Sequence, residues 1–171
     1  MKGKKKILIW VGAIIVIGLL GFFWYQYYPQ HIELSQNPNY LFDPHFNPNQ
    51  VTLYGIKIGD PQSKINPATI SVQSDASGWI HTTNGVGYRI ANGKVVELVL
   101  NWDFTSKIGL NRQDQIEIQF GKPDSTDTKP IIGSYMQTEY NYISRGLIVS
   151  YAEVPNPSLG SSTIQINILG K

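Results

Sequence analysis

The stretch Trp79–Trp102, WIHTTNGVGYRIANGKVVELVLNW, decides how this chain is read. Two Asn-Gly pairs, Asn84-Gly85 and Asn92-Gly93, separate three runs rich in β-branched and aromatic residues. Asn-Gly is the favoured centre of a type I′ turn, because both central residues need positive φ. The stretch therefore predicts a three-stranded antiparallel meander, with strands at Trp79–Thr83, Val86–Ala91 and Lys94–Trp102. Strict alternation along the third strand puts Val96, Leu98, Leu100 and Trp102 on one face, and Val95, Glu97, Val99 and Asn101 on the other.

Downstream, LNRQDQIEIQFGKP carries helix punctuation. Asn111 is a suitable N-cap, Asp114 lies in the first turn, Gly121 follows the last turn and Pro123 blocks continuation. A short helix is expected at Arg112–Phe120, with Ile116 and Phe120 on its buried stripe and Ile118 off it. The polar run Asp124–Pro130 reads as a loop. Strands are expected at Met136–Ile143, Leu147–Tyr151 and Thr163–Leu169, with a turn at Ser144–Gly146 and a long loop, EVPNPSLGSS, before the last strand. That last strand, TIQINIL, alternates apolar and polar residues, as in an antiparallel sheet with one wet face. The fold class is α+β: one antiparallel sheet with one or two short helices on one face.

Upstream, four lysines in the first six residues precede nineteen uncharged residues, 7–25. As a helix that run is about 28 Å long, close to the ~30 Å hydrocarbon core. Ile7, Trp10, Leu20 and Trp24 are its expected membrane-spanning markers. No small-x-small cleavage pattern follows in YQYYPQH, and the aromatics around Trp24 form an interfacial belt. An uncleaved signal anchor is predicted. It makes a single-pass cell-membrane protein with a cytoplasmic basic tail at 1–6 and an extracytoplasmic C-terminal domain. Proline density in 26–50 predicts an extended stalk, and the domain is expected at 51–171.

Charge and composition narrow the function. Beyond the N-terminal lysines the chain has ten basic and twelve acidic residues, so the exported part has no basic footprint for nucleic acid. There is no cysteine, hence no disulfide and no thiolate nucleophile or ligand. The three histidines, His31, His45 and His81, have no metal-ligand spacing. No G-x-S-x-G elbow supports a triad around His81 and Asp103, and no metal, cofactor or enzymatic activity is expected. Trp79, Tyr88, Trp102, Tyr135, Tyr140, Tyr142 and Tyr151 fall on expected strands or their ends. Tyr, Trp and Arg are the residue types enriched at binding hot spots. Candidate binding residues are therefore Trp79, Tyr88, Arg89, Tyr140, Tyr142 and Arg145. The two arginines sit beside hairpin turns.

KIGDPQSKI (Lys57–Ile65) and KIGLNRQDQI (Lys107–Ile116) match weakly, each opening a helical start before a β-rich run. They outline two repeats, 51–104 and 105–171, forming one sheet. The pattern IGLNRQDQIEIQFGKPD, YNYISRGLIVSY and TIQINIL resembles an exported bacterial helix-plus-antiparallel-sheet domain. It is similar to the SmpA/OmlA and β-lactamase-inhibitor-protein-like superfamily, and to YjgB-type domains of Bacillus-like bacteria. The resemblance lies mostly in 107–169 and implies a binding or scaffolding module. The expected partner is another protein of the bacterial cell envelope. The alternative is a cell-wall polymer or carbohydrate held on an aromatic sheet face.

Overall fold

The computed structural model describes residues 16–18, 31–73, 78–131, 136–152 and 163–170. The chain divides into two units, Met1–His31 and Ile32–Lys171. Within the first, 16–18 are helical. The rest of the predicted span, with Ile7, Trp10, Leu20 and Trp24, lies outside the described residues. So do Tyr135 and the 153–162 loop. No helix among the described residues is long and apolar enough to cross a membrane.

The second unit is built on an eight-stranded antiparallel sheet. Its strands are β3 (Ile70–Gln73), β4 (Trp79–Thr82), β5 (Val86–Ala91), β6 (Lys94–Leu100), β7 (Ser125–Pro130), β8 (Met136–Tyr142), β9 (Leu147–Ala152) and β10 (Thr163–Leu169). Their spatial order is β3-β4-β5-β6-β10-β9-β8-β7. Each half is a four-stranded meander, and the last strands of the two meanders meet at the centre. A short parallel pair, β1 (Ile32–Glu33) with β2 (Val51–Thr52), stands apart from the sheet.

The two hairpins of the opening stretch close differently. Asn92 (φ 53°) and Gly93 (φ 72°) are both left-handed, as type I′ requires. At Asn84-Gly85 only Gly85 has positive φ, and three residues connect the strands. That is the longer loop ending in a left-handed glycine. A register shift between Arg89 and Ile90 pairs Ile90 with Val95 and leaves Val96 without a partner. The extra residue reverses the phase of β6 there, so Val95 is fully buried together with Leu98 and Leu100.

One face of the sheet is the core. A row runs across six strands through Ile80, Tyr88, Leu98, Ile168, Leu147 and Tyr142, and all six are buried. Over it lie α1 (Trp102–Lys107) and α2 (Gln113–Phe120), which contribute Phe104, Ile116 and Phe120. Ile118 points out, 75% exposed, as its place off the stripe requires. The α2 N-terminus starts one residue later than expected, because Gln115 Oε1 accepts the backbone N–H groups of Asn111 and Arg112. Gly121 (φ 78°) ends the helix, its N–H reaching the Glu117 carbonyl.

Four expectations need correction. The predicted stalk is not an extended chain over 32–50, which is folded. Leu34, Leu41 and Phe46 belong to the core cluster, and prolines 38 and 48 start 3-10 turns instead of an extended chain. Strand β6 stops at Leu100, and Trp102 opens α1. Phe104 and Thr105 donate their N–H groups to the Asn101 carbonyl, and Thr105 Oγ1 reaches the Ile164 carbonyl at 2.8 Å. The expected loop at 124–130 contains the edge strand β7, whose six residues are all exposed. After Asp60-Pro61 only a 3-10 turn forms, Gln62–Lys64, since Pro67 follows so closely.

Candidate functional site

The described helices pack on the core face; the opposite face carries two side-chain rows whose middle is buried, Val99 1% and Glu97 5% exposed, and whose β4–β5 end, with Trp79, His81 and Arg89, is accessible. One row across it runs His81, Gly87, Val99, Asn167, Ile148, Asn141. A second runs Trp79, Arg89, Glu97, Leu169. Period-2 geometry puts Trp79 and His81 on the same side of β4, where their rings stack with centroids 6.2 Å apart and planes 17° apart. Gly87 makes room for this. A Cβ there would lie 3.3 Å from His81 Nδ1 and 3.4 Å from Val99 Cβ, so the imidazole occupies the place of the missing side chain.

Arg89 is on this face and bonds Glu97 Oε2 through Nε at 2.7 Å. The Glu97 side chain is nearly buried and Arg89 half-exposed. The arginine therefore neutralises a carboxylate that lies in the body of the sheet, and it has a structural task besides any contact with a partner.

The other expected binding residues fall elsewhere. Tyr88, Tyr140 and Tyr142 point into the core, 2%, 6% and 2% exposed, so their rings are closed to a partner; only Tyr140 borders a groove, where Gln113 meets its hydroxyl. The Tyr88 hydroxyl donates to the Leu53 carbonyl and the Tyr142 hydroxyl to the Gly121 carbonyl, at 3.1 and 2.8 Å. Burial, with Glu117 nearby, pushes the Tyr142 phenol up to about 12. Arg145 is a staple. Nη1 donates to the Phe120 carbonyl, and Nη2 donates to those of Leu41 and Asp43, at 2.7–2.9 Å. Its guanidinium lies 5.6 and 5.9 Å from the Phe120 and Tyr142 ring centroids. One side chain thus fastens the N-terminal segment to the end of α2. Gly146 (φ 70°) turns the chain directly behind it.

His81 is a half-exposed strand residue; its stacking on Trp79 is what the sequence reading missed, although the i+2 spacing was the available signal. Among the described residues no group of three or more His, Asp and Glu side chains converges to hold a metal. No protein-family model, no curated sequence and no solved structure matches this chain.

Proposed function

We propose that this chain is a membrane-anchored, extracytoplasmic protein-binding module of the bacterial cell envelope, and that it docks its partner at the Trp79–Arg89 end of the sheet face opposite the helices. The observation that carries this reading is the asymmetry of the sheet. One face is packed with Tyr88, Leu98 and Ile166 beneath Ile116, while the other offers a stacked Trp79–His81 pair beside the half-exposed Arg89, with Leu169 and Ile148 three and four strands further along. A tryptophan platform next to an arginine is a pairing of the residue types enriched at binding hot spots. The lysine tail and apolar run at 1–25 supply the anchor. The mirrored strand order is consistent with two related units.

Crosslinking the full-length protein in its native membranes, followed by mass spectrometry, tests the reading. One envelope protein recovered from the parent and lost with Trp79→Ala is expected. Circular dichroism should show the variant folded. Equal recovery from the variant, or no partner at all, overturns docking through this face and favours a wall glycan as ligand.

A further inference from the structure

Where α2 meets the outer strands of the second meander there is a groove of about 560 Å³, on the opposite side of the sheet from the proposed docking face. It is lined by Arg112, Gln113, Asp114, Glu117, Tyr140 and Tyr151. The volume is in the range of small-ligand sites. Tyr140 on β8 and Tyr151 on β9 are diagonal neighbours on the same face, since Tyr140 pairs with Val149 and Thr138 with Tyr151. Tyr140 belongs to the core cluster with Ile116 and Phe120, and Tyr151 packs against its margin. The first two turns of α2 supply the polar side chains.

The hydrogen-bonding capacity of this groove is partly unspent. Gln113 Nε2 donates to the Tyr140 hydroxyl at 2.7 Å. Tyr140 is 6% exposed, and its own hydroxyl proton has no acceptor among the described residues. Arg112 and Asp114 make a two-pronged ion pair at 2.8–3.0 Å. That pair is internally neutral, and the Glu117 carboxylate has no ion-pair partner among the described residues. Guanidinium, carboxylate and amide are planar groups that can each engage two adjacent hydroxyls. A tyrosine ring offers an apolar platform with a polar tip.

We propose that this groove binds a neutral saccharide, separately from the protein docked on the open face. The sugar's C–H face lies on Tyr151. Neighbouring hydroxyls are shared between Glu117 and Gln113, and one ring or acetamido oxygen accepts the unspent Tyr140 proton. A polyanion is disfavoured by the uncompensated Glu117. A flat apolar ligand would strand the polar wall.

Titration calorimetry and saturation-transfer NMR on the full-length protein in nanodiscs, with chitotetraose as probe, provide the test. Saturable binding is expected, weakened at least tenfold by Glu117→Gln on the exposed wall and by Tyr151→Ala. Tyr151→Phe should keep most of the affinity, which separates loss of the platform from loss of the fold. Ile118→Ala, on the outward side of the same helix, should change nothing. No saturable binding of chitotetraose overturns the proposal. So does binding indifferent to Glu117→Gln, or a cationic peptide that displaces the sugar at lower concentration.

Discussion

At the scale of single residues, two polar side chains hold what the sequence reading took for a stalk. Glu33 accepts five hydrogen bonds: from the Ser35 amide and hydroxyl, the Thr52 hydroxyl, and the backbone N–H groups of Tyr54 and Gly55. They fix the Leu53–Ile56 turn, in which Tyr54 adopts φ 53°, a conformation costly for a tyrosine. Burial alone pushes the Glu33 carboxyl up. The bonds from the Ser35 hydroxyl and from the Gly55, Tyr54 and Ser35 amides outweigh it and hold the group below the usual carboxylate range. A folded-state value below the unfolded one means that the stabilisation is present above the unfolded value and is lost as pH falls through the folded one. Urea midpoints compared at pH 7 and pH 3 should therefore fall, and Glu33→Gln should reduce that fall. Arg145 is the second fastening. Arg145→Met leaves three carbonyls without their donors, and about 2 kcal/mol or more should be lost in equilibrium unfolding. Arg145→Lys should recover little, because a single ammonium does not reproduce the fork.

At the scale of elements, turn glycines separate conformational strain from crowding. Gly93 (φ 72°) faces open space, so Gly93→Ala should cost about 1 kcal/mol from the left-handed backbone alone. Gly85 (φ 74°) has the same strain, but a Cβ there would lie 2.7 Å from Asp103 Cβ and 3.3 Å from the Phe104 nitrogen. Gly85→Ala should cost clearly more and loosen the start of α1. Thermal melts of the two variants measure the difference. The same elements show what was legible. Strand β5, the β5–β6 turn and the last strand, β10, were readable from the sequence, because β-branched alternation and Asn-Gly reflect local physics. β7 was not, since STDTKP is an edge strand exposed throughout and buries nothing that would impose a pattern. α1 was hidden for another reason. Trp102, on the strand's alternation, is 40% exposed, and only the tertiary bond from Thr105 to β10 reveals the change of direction. The bulge at Val96 was equally invisible, because it is a property of pairing.

At the scale of the whole molecule, the folded unit begins near Ile32, nineteen residues before the expected start at 51. Removing 32–50 takes Leu34, Leu41 and Phe46 from the core together. At about 3 kcal/mol for each large side chain the loss is roughly 9 kcal/mol, comparable to the entire stability of an ordinary domain. A chain whose folded part starts at 51 should give exchange-labile amides in β5, β6 and β10. One that starts at 32 should protect them. Proline and asparagine density suggested an extended tether, because composition does not distinguish a solvated linker from a segment of 3-10 turns lying on a core. Of the candidate binding residues, Trp79 and Arg89 are on the face opposite the helices, while three tyrosines are on the core face. Their alternation placed them on strands, but which side the helices would cover depended on contacts distant in sequence.

The β1–β2 pair has a mechanical consequence. If the first residues are fixed in a bilayer and a partner holds the sheet, tension enters the domain at Ile32. Parallel strands resist such a pull in shear, their bonds sharing the force until they break together, in contrast to the one-at-a-time opening of a zipper. Glu33 meets the load first, and Arg145, gripping Leu41 and Asp43, meets it next in series. A single-molecule pulling trace from the N-terminus should show an early small extension, about 40 Å for the dozen residues up to Asp43, before the sheet gives way. With Arg145→Met that early event should occur at lower force while the main rupture stays unchanged, so that the segment acts as a mechanical fuse ahead of the sheet.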